Sequence, residues 1–454
     1  MSHHKPDPDK SVNLTIDGIP VTVPEGTRIL EAALKANVHI PTLCEHPDLC
    51  KRAVCRVCVV ECDGRGKLLA ACANEVWEGV SVVTHNDRIN NIRKTIIELL
   101  VANHPQECLS CVRSTNCELQ NLAAQFGIRE SPFSNGTSES GCEPPLKESE
   151  TLVRDMAKCV KCGRCVEACQ EIQTIRNINT SCRSVHYAVS APYGQALADG
   201  SCVFCGHCAA VCPVGAIYEH DQSMEVWEIL VDKERRTAAQ ISPSLCGALG
   251  DALGLPAGTI NPGKLVCALK RLGFDKVFDA EYFANAAAAE ENSELQNRIK
   301  KTQLPMIAGC SEGVAKFVED SYPDLIDHLS PCKSPQQTFA ALLKAANPEM
   351  AAVSVSACIA RKYKHRSSAA DAGITLTVKE LARIFKLGGI DLGGLPETPF
   401  DIFEGTPPQA APVSTGIKTL TVNGFANARA VLDSIRRGEC EAALVKIKSC
   451  PSKN

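Results

Sequence analysis

The centre of this chain contains two stretches that decide its fold: Cys159-Val-Lys-Cys162-Gly-Arg-Cys165-Val-Glu-Ala-Cys169 and Cys202-Val-Phe-Cys205-Gly-His-Cys208-Ala-Ala-Val-Cys212-Pro213. Both have the spacing Cys-x2-Cys-x2-Cys-x3-Cys, which binds 4Fe–4S clusters. In two-cluster domains of this type the fourth cysteine of each run ligates the other cluster. The predicted ligand sets are therefore Cys159, Cys162, Cys165 and Cys212 for one cluster, and Cys202, Cys205, Cys208 and Cys169 for the other.

The segment near the N-terminus has the pattern of a small α+β domain. Residues 12–16 alternate apolar and polar side chains, Asp17-Gly18 is typical of a hairpin turn, and residues 21–23 predict the returning strand. Thr27 is predicted to be the N-cap of a helix that continues through residue 34. The side chains expected to face inward are Ile29, Leu30 and Leu34.

Four cysteines follow this α+β segment at wider spacing: Cys44, Cys55, Cys58 and Cys72. A 2Fe–2S centre needs four thiolates. The long loop before the central pair, and Arg56-Val57 within it, resemble the plant-type ferredoxin arrangement in altered spacing. We therefore predict one 2Fe–2S cluster. A zinc knuckle uses the same thiolates and remains the alternative, although the strand–turn–strand–helix context favours iron.

Apolar residues at helical spacing predict a helix that ends at His104-Pro105, and three cysteines follow it. The helix pattern consists of Ile89, Ile92, Ile96, Leu99 and Leu100. One histidine with three cysteines resembles the His-ligated 4Fe–4S motif shared by FeFe hydrogenases and the cluster-rich subunit of respiratory Complex I. That resemblance implies a third 4Fe–4S cluster, held by His104, Cys108, Cys111 and Cys117.

Composition limits the class of protein and its compartment. The chain has 454 residues, 26 of them cysteines, and a formal net charge of −4, which argues against a nucleic-acid-binding protein. No apolar run is long enough to span a membrane, and the polar N-terminus lacks the core of a secretory signal. Tight Cys-x2-Cys spacing in a long chain without a signal is typical of metal binding in the reducing cytoplasm.

The cysteine sets and the changes in composition predict five segments. They are a plant-type 2Fe–2S ferredoxin-like domain (10–85), a His-ligated 4Fe–4S domain (86–130), a linker or loop (131–150), a bacterial-type ferredoxin domain with two 4Fe–4S clusters (151–222) and a larger α/β domain (223–454). The fold class is therefore multidomain, with α+β ferredoxin-like domains before an α/β domain.

The order of these domains resembles the long FeFe hydrogenases, including the subunit of electron-bifurcating enzymes. The likeness continues beyond the cysteine runs into three segments of the last domain: Gln240-Ile-Ser-Pro243, Gly263-Lys264 with Leu272-Gly-Phe-Asp-Lys-Val-Phe-Asp279, and Ser330-Pro-Cys-Lys-Ser-Pro-Gln-Gln337. The resemblance implies that residues 223–454 have the fold of that family's catalytic domain. In the family, this domain binds a 4Fe–4S unit through four cysteines, one of which bridges to a diiron centre.

Two of the motifs that hold this hydrogen-active cluster are altered here. The family's Thr-Ser-Cys-Cys-Pro-Gly-Trp is replaced by Ala308-Gly-Cys310-Ser311-Glu-Gly-Val314, so Ser311 replaces a ligand and Cys310 aligns with the proton-relay cysteine. Met-Pro-Cys is replaced by Ser356-Ala-Cys358, with Arg361 for the usual lysine and Lys364 for the usual glutamate. A serine hydroxyl stays protonated near neutral pH and is a poor iron ligand.

The third motif is altered as well. The family's Met-Ala-Cys-x-Gly-Gly-Cys corresponds to Lys448-Ser-Cys450-Pro-Ser-Lys-Asn454, which places Asn454 at the bridging cysteine, and residues 405–419 are too few for the family's Gly-Gly-Val-Met-Glu-Ala segment. We therefore expect no diiron cluster. Glu291 and Glu294 match the family's proton path, which without a catalyst is a relic or a helix surface.

Three questions stay open at this point. Cys310, Cys358 and Cys450 could converge, with Cys332 or another group, on a residual cluster, but free cysteines are also common in cores. The basic residues 361–366 could face a partner, although a solvated helix end is favoured. The basic side chains near the first central run, Lys158, Lys161 and Arg164, could offset cluster charge, dock an acidic ferredoxin or form a solvated face. The cysteines expected to be structural are Cys50, Cys62, Cys142, Cys182, Cys246, Cys267 and Cys440.

Four clusters in one chain indicate that its task is to carry electrons. No dinucleotide or Walker-type motif follows a predicted strand, so a nicotinamide would have to react on a partner. We expect a cytoplasmic electron-transfer subunit without a catalytic site, within a hetero-oligomeric, electron-bifurcating NAD(P)H- and ferredoxin-linked complex. The expected partners are a flavin- and NAD(P)-binding subunit, a small 2Fe–2S subunit, ferredoxin and a catalytic module such as a NiFe hydrogenase or a formate dehydrogenase.

Two other functions remain as alternatives. The chain could be a genuine FeFe hydrogenase with unusual ligands, which Ser311 and Asn454 disfavour. It could also be a redox-sensing binding protein, although no signalling or DNA-binding motif supports that role.

Overall fold

The computed structural model describes residue 7 and residues 10–63, 68–133, 146–147, 151–364, 373–404 and 417–450. Cys142, Asn454, most of the predicted linker and residues 365–366 of the basic segment lie outside these ranges. Within them, no helix has both the length and the apolar character needed to cross a bilayer.

The first domain is a five-stranded sheet in the order β2-β1-β5-β3-β4 with one helix packed on it. Its first two strands form the predicted antiparallel hairpin, and both turn residues, Asp17 and Gly18, have positive φ (48° and 81°), as the tight connection requires. The elements are β1 (Ser11–Ile16), β2 (Ile19–Pro24), α1 (Ile29–Lys35), β3 (Val59–Cys62), β4 (Leu68–Ala70) and β5 (Ser81–Val83).

The start of α1 differs from the prediction in two respects. The N-cap is Arg28 rather than Thr27: the Glu31 carboxylate accepts a hydrogen bond from the Arg28 backbone N–H at 3.2 Å, and the Thr27 hydroxyl donates to the Pro24 carbonyl at 2.7 Å instead. Leu34 is 58% exposed rather than inward-facing. The small residues Ala32 and Ala33 are buried in its place, because they allow the helix to pack closely on the sheet.

A long helix follows the first domain, and the Asn86 side chain caps it by accepting a hydrogen bond from the Ile89 N–H at 2.8 Å. Leu99, part of the predicted apolar pattern, is 44% exposed. Arg93 is buried instead and donates to the Val59 carbonyl at 2.7 Å, which ties the helix to β3. The elements of this segment are α2 (Asp87–Ala102), a 3₁₀ turn (Cys108–Ser110) and α3 (Glu118–Gln125).

The central domain has an antiparallel sheet in the order β10-β7-β6, a small hairpin and two short helices that each begin within a cysteine run. Both helices start at a glycine in the left-handed conformation, Gly163 (φ 79°) and Gly206 (φ 77°), so the second and third cysteines of each run flank the same turn. The elements are β6 (Leu146–Lys147), β7 (Leu152–Arg154), α4 (Arg164–Glu167), β8 (Asn179–Ser181), β9 (Ala188–Ser190), α5 (His207–Ala210) and β10 (Ile217–Glu219).

The last domain contains two parallel sheets, in the orders β12-β11-β14-β15 and β13-β17-β16, covered by helices. Together with the α+β modules before it, this confirms the predicted fold class. The elements are α6 (Ser223–Val231), β11 (Arg236–Ile241), α7 (Cys246–Leu253), α8 (Pro262–Leu272), β12 (Lys276–Asp279), α9 (Ala280–Lys300), β13 (Met306–Gly309), α10 (Glu312–Ser321), α11 (Pro335–Ala346), β14 (Met350–Ser356), β15 (Ile374–Thr377), α12 (Val378–Leu387), β16 (Thr419–Asn423), α13 (Phe425–Arg436) and β17 (Leu444–Lys448).

The central and last domains are joined by polar and aromatic contacts. The Phe204 ring stacks on Tyr363 with centroids 4.4 Å apart. The Gln173 side chain donates to the Ser449 carbonyl at 3.2 Å, and the Arg429 guanidinium donates to the Thr174 carbonyl at 2.9 Å. Gln173 and Thr174 follow the first cysteine run and Phe204 lies within the second, so these contacts hold both runs against the last domain.

Candidate iron–sulphur centres

The four cysteines predicted for the 2Fe–2S centre lie together beside the sheet of the first domain. The Cys44 thiol forms hydrogen bonds with the thiols of Cys55 and Cys72, and Cys72 also bonds to Cys58. Within each contacting pair the shared hydrogen bond lowers the pKa of one thiol, Cys44 or Cys58, and raises that of its partner, Cys55 or Cys72. Each iron of a 2Fe–2S centre carries two thiolates, and contacting thiols are what that ligand arrangement requires.

The three cysteines of the next set lie at the surface end of the helix α2. The charges of Cys108 and Cys111 both raise the pKa of Cys117, after the larger effect of burial, so the three thiols are near one another. Cys108 is exposed, Cys111 is half-buried and Cys117 is buried. The arrangement is open on one side, as expected for a centre that exchanges electrons with another protein.

His104 lies at the same place. Burial, and then the positive charge of Lys158, lower the pKa of its imidazole, which favours the neutral form that binds metals. Its Nδ1 atom is buried without a hydrogen-bond partner in the part of the chain that the structure describes. Lys158 interacts electrostatically with both His104 and Cys111, which puts the imidazole in the neighbourhood of this cysteine set, and an orphaned ring nitrogen there fits a candidate ligand to iron.

The two cysteine runs of the central domain exchange their last members. Cys212, from the second run, interacts electrostatically with Cys159, Cys162 and Cys165 of the first. These four thiols line a cavity with about 330 Å³ of empty volume. Cys169, from the first run, interacts in the same way with Cys202, Cys205 and Cys208. The structure therefore brings together the two sets that the spacing predicts.

Burial decides the charge of these thiols. It raises the pKa of Cys162 and of Cys205 to about 12, and that of Cys165 and Cys208 well above the ordinary value, with neighbouring thiols adding to the effect. Without metal these side chains are neutral at pH 7. Coordination to iron supplies the positive charge that makes a buried thiolate stable, so the sites fit a metal cluster.

One residue connects the centres. The Arg164 guanidinium is 5% exposed and donates to both carboxylate oxygens of Glu118 (2.6 and 2.7 Å) and to the Glu45 carbonyl (2.6 Å). Glu45 follows Cys44, Glu118 follows Cys117 and Arg164 precedes Cys165. Both sequence-based interpretations that placed Arg164 on the surface, a docking face for ferredoxin and a solvated face, are therefore wrong. Sequence offers no signal for this contact, because its partners are 46 and 119 residues away.

The modules also share packing. Arg52, in the loop of the first centre, lies against Gly163 of the first run, and Cys111 lies against Gly215, just after the second run. Side chains from all three modules, among them Leu43, Ile97 and Leu197, form a single apolar core. The centres are therefore adjacent along a continuous protein body, which is the condition for electrons to pass between them.

Three cysteines of the last domain also converge. The Cys358 thiol forms a hydrogen bond with Cys450, which lowers the pKa of Cys358 to about 6, and Cys450 interacts electrostatically with Cys310. Cys310 in turn contacts the Ser449 hydroxyl at 3.4 Å. Both Cys358 and Cys450 lie within electrostatic reach of Cys205. Cys332 has no interaction with this group among the described contacts; its pKa is raised by burial and then affected by Ser330 and three glutamates.

Matches to protein families agree with this layout. Residues 9–87 match a 2Fe-2S iron-sulfur cluster binding domain, 93–132 the iron-sulfur binding region of NADH-ubiquinone oxidoreductase-G, and 199–218 a 4Fe-4S binding domain. Residues 235–416 match the C-terminal domain of the iron-only hydrogenase large subunit.

Relatives identify the family of the whole chain. The chain is 39% identical over 428 residues to the NADP-reducing hydrogenase subunit HndD of Solidesulfovibrio fructosivorans. The aligned region covers 88% of this chain and 73% of that protein. It belongs to the iron-only hydrogenase family. Iron hydrogenase 1 of Clostridium pasteurianum is 30% identical over 409 residues (86% and 70% of the two chains). The NADPH-Fe(3+) oxidoreductase subunit alpha of Geobacter sulfurreducens is 34% identical over 208 residues, 45% of this chain and 24% of its own length.

The hydrogen-active cluster of this family does not fit the residues present. Ser311, at a ligand position, is 8% exposed, and its hydroxyl oxygen has no hydrogen-bond partner among the described residues. Three thiols meet here in the part of the chain that the structure describes, and two of them, Cys358 and Cys450, are in contact, whereas each iron of a 4Fe–4S unit carries a single protein ligand. Asn454, at the bridging position, lies outside the described residues.

Proposed function

We propose that this protein is the electron-transfer subunit of a soluble, cytoplasmic, NAD(P)H- and ferredoxin-linked oxidoreductase complex, and that it contains no hydrogen-active cluster. One observation carries the proposal: the ligand sets of four centres adjoin one another in one body, while the pocket that would complete the catalysis has a serine in place of a thiolate. The relation to a subunit of an NADP-reducing hydrogenase supports a role inside a larger assembly.

The proposed clusters are one 2Fe–2S and three 4Fe–4S. The 2Fe–2S centre would be held by Cys44, Cys55, Cys58 and Cys72, whose thiols are in contact in pairs. The three 4Fe–4S centres would be held by His104 with Cys108, Cys111 and Cys117, and by the two exchanged sets of the central domain. A partner would exchange electrons with the centre at the exposed Cys108, and electrons would pass between that centre and the more buried ones.

The proposed partners follow from what this chain lacks. No dinucleotide-binding fingerprint occurs in its sequence, so a flavin- and NAD(P)-binding subunit and a small 2Fe–2S subunit would exchange electrons with it, together with ferredoxin. A separate catalytic module, of the NiFe hydrogenase or formate dehydrogenase type, would carry out the terminal reaction. The last domain would then serve as a scaffold and docking body.

The test is anaerobic purification from the native host with all accompanying subunits, followed by iron analysis and infrared spectroscopy. We expect about fourteen irons per chain, no carbonyl or cyanide bands, and co-purification of a flavoprotein that reduces the clusters with NADH or NADPH. Carbonyl and cyanide bands, or hydrogen production by the chain alone, would show that it is a hydrogenase and would refute the proposal.

Variants test the exchanged ligand sets. Cys212→Ser should remove the electron paramagnetic resonance signal of one 4Fe–4S centre and about four irons. Cys169→Ser should remove the other centre and leave the first. Cys182→Ser, which changes an exposed cysteine outside all sets, is the matched control and should leave both signals unchanged. Loss of the same centre in both ligand variants would contradict the exchange.

A further inference from the structure

A polar cavity in the last domain, outside all the cysteine sets, has about 360 Å³ of empty volume. Its wall includes Arg361 and Lys364 after β14, Gln336 at the start of α11, and Ser354 and Thr375 on neighbouring strands. We propose that this cavity binds a small oxyanion, either a carboxylate or an inorganic phosphate. The inference goes beyond the proposed electron-transfer function and does not depend on it.

The charges of the wall favour an anion. Neither Arg361 nor Lys364 forms an ion pair with any carboxylate in the described part of the chain. The acidic side chain in the wall is Glu312, and its Oε1 already accepts a hydrogen bond from Gln337 Nε2 at 2.7 Å. The described wall therefore carries two cationic side chains against one carboxylate. Arginine is suited to such a ligand because its planar fork can bind two oxygens of one oxyanion.

The neutral groups of the wall are donors in need of acceptors. The Gln336 Nε2 atom is buried and has no partner among the described residues. Ser354 is 3% exposed, and its oxygen accepts from Gln240 Nε2 at 2.8 Å, so its own proton is left to donate. Because an unsatisfied buried donor is costly, a ligand rich in acceptor oxygens would stabilise this wall, and an apolar ligand would not.

Two helices point their N-termini toward the same cavity. α10 begins at Glu312, and its N-cap, Ser311, makes no side-chain capping bond, so its end is the open one. α11 begins at Pro335 and is already capped, because the Ser334 hydroxyl accepts from the Gln337 N–H at 3.4 Å. The positive end of a helix dipole favours a nearby anion. This contribution adds to the two cations and the unpaired amide, which are independent of it.

The anion would also lie near the end of the row of centres. The Arg361 N–H donates to the Cys358 carbonyl at 3.2 Å, and Ile359, which lies between these two residues, packs against Gly206, the neighbour of Cys205. An anion paired with Arg361 would cancel part of the positive charge of that side chain. Binding should therefore make the centre that contains Cys205 harder to reduce.

The experiment is isothermal titration calorimetry on the full, cluster-loaded chain under anaerobic conditions, at constant ionic strength set with chloride. Inorganic phosphate, sulfate, formate and acetate are titrated separately. Saturable binding with one site per chain supports the proposal. Tighter binding of the tetrahedral anions, phosphate and sulfate, would indicate a phosphate site, and tighter binding of the planar anions, formate and acetate, would indicate a carboxylate site. Absence of saturable heat with all four anions overturns it.

Variants locate the site. Arg361→Gln should weaken binding at least tenfold, Arg361→Lys less, and Gln336→Leu severalfold. Lys233→Gln, which removes an exposed lysine elsewhere in this domain, is the control and should bind as the wild type does. Iron content and visible spectra report whether each variant is folded. Equal affinity in Arg361→Gln and the control would mean an adventitious ion only and would overturn the proposal.

A redox titration gives a second readout. With the preferred anion present, the midpoint potential of the centre that contains Cys205 should become more negative in the wild type and stay unchanged in Arg361→Gln. An identical shift in both proteins would contradict the assignment of the anion to this cavity.

Discussion

Replacing Lys362 by methionine should destabilise the junction between the central and last domains. Lys362 is fully buried, and its ammonium lies 2.6 Å from Glu380 Oε1, 3.4 Å from Glu219 Oε1 and 2.7 Å from the His220 carbonyl. Glu380 is itself 3% exposed and also accepts from the backbone N–H groups of Gln222 and Thr377. The pair therefore joins the segment after β10 to α12.

The size of the effect follows from this burial. Removing one partner of a buried ion pair leaves the other charge uncompensated, which costs about 3–5 kcal/mol. For a domain of this size each kcal/mol shifts the melting temperature by about 2–4 °C, so Lys362→Met should lower the melting temperature of the last domain by about 6–20 °C. The assay is differential scanning calorimetry of the anaerobic, cluster-loaded protein, with iron content measured before each scan.

Two further variants make this prediction specific. Lys418→Met breaks a pair with Glu441 in which both side chains are mostly exposed (65% and 79%), and should leave the melting temperature close to that of wild type because solvent screens the pair. Lys362→Met combined with Glu380→Gln should recover part of the loss, because the amide is neutral. Its one carbonyl oxygen can still accept from the Thr377 N–H, while its NH2 group replaces the oxygen that accepts from Gln222. If Lys362→Met melts within a few degrees of wild type, as Lys418→Met should, the buried pair does not stabilise the junction.

Three other substitutions test separate contacts. Arg164→Lys should cost about 1.5–3 kcal/mol, since lysine cannot make the paired bonds to Glu118; unchanged melting of the cluster-binding modules would contradict this. Gly313→Ala would place a Cβ in steric conflict with the Val203 carbonyl oxygen and should destabilise the protein by about 1–3 kcal/mol. Gly247→Ala, with no atom within 4 Å of the new Cβ, should not destabilise it, and equal melting temperatures of the two variants would refute the clash. Burial raises the pKa of the Asp401 carboxyl, but hydrogen bonds from Lys270 and from the Val277 N–H outweigh burial and keep that pKa below its usual value. A carboxyl group with a lowered folded-state pKa stabilises the folded state fully above about pH 4, and this stabilisation is lost as the pH falls through the folded-state pKa. The difference in melting temperature between wild type and Asp401→Asn should therefore become smaller in acid. A difference that does not vary with pH would refute this.

Many of the predictions made from the sequence depend on the local spacing of the cysteines. The two runs of the central domain place their ligands on one tight turn each, at Gly163 and Gly206, so neighbouring residues alone specify the geometry. The hairpin at Asp17-Gly18 is predictable for the same reason. The N-cap of α1 is not, because the choice between Thr27 and Arg28 depends on whether a hydroxyl finds the Pro24 carbonyl or a helix amide.

Tertiary structure decides how the modules join and where the other functional groups lie. Arg164 reads in the sequence as a surface cation, and only the fold buries it against partners that follow Cys44 and Cys117. The contact between Cys358 and Cys450, and the anion-favouring wall around Arg361, likewise depend on segments far apart in the chain. The sequence by itself predicted which cysteines group, because the first three ligands of each ferredoxin-type cluster lie within seven residues and the repeated spacing pairs the two runs. The fold alone decided burial and pairing of charges, because these depend on what long-range packing places beside each side chain.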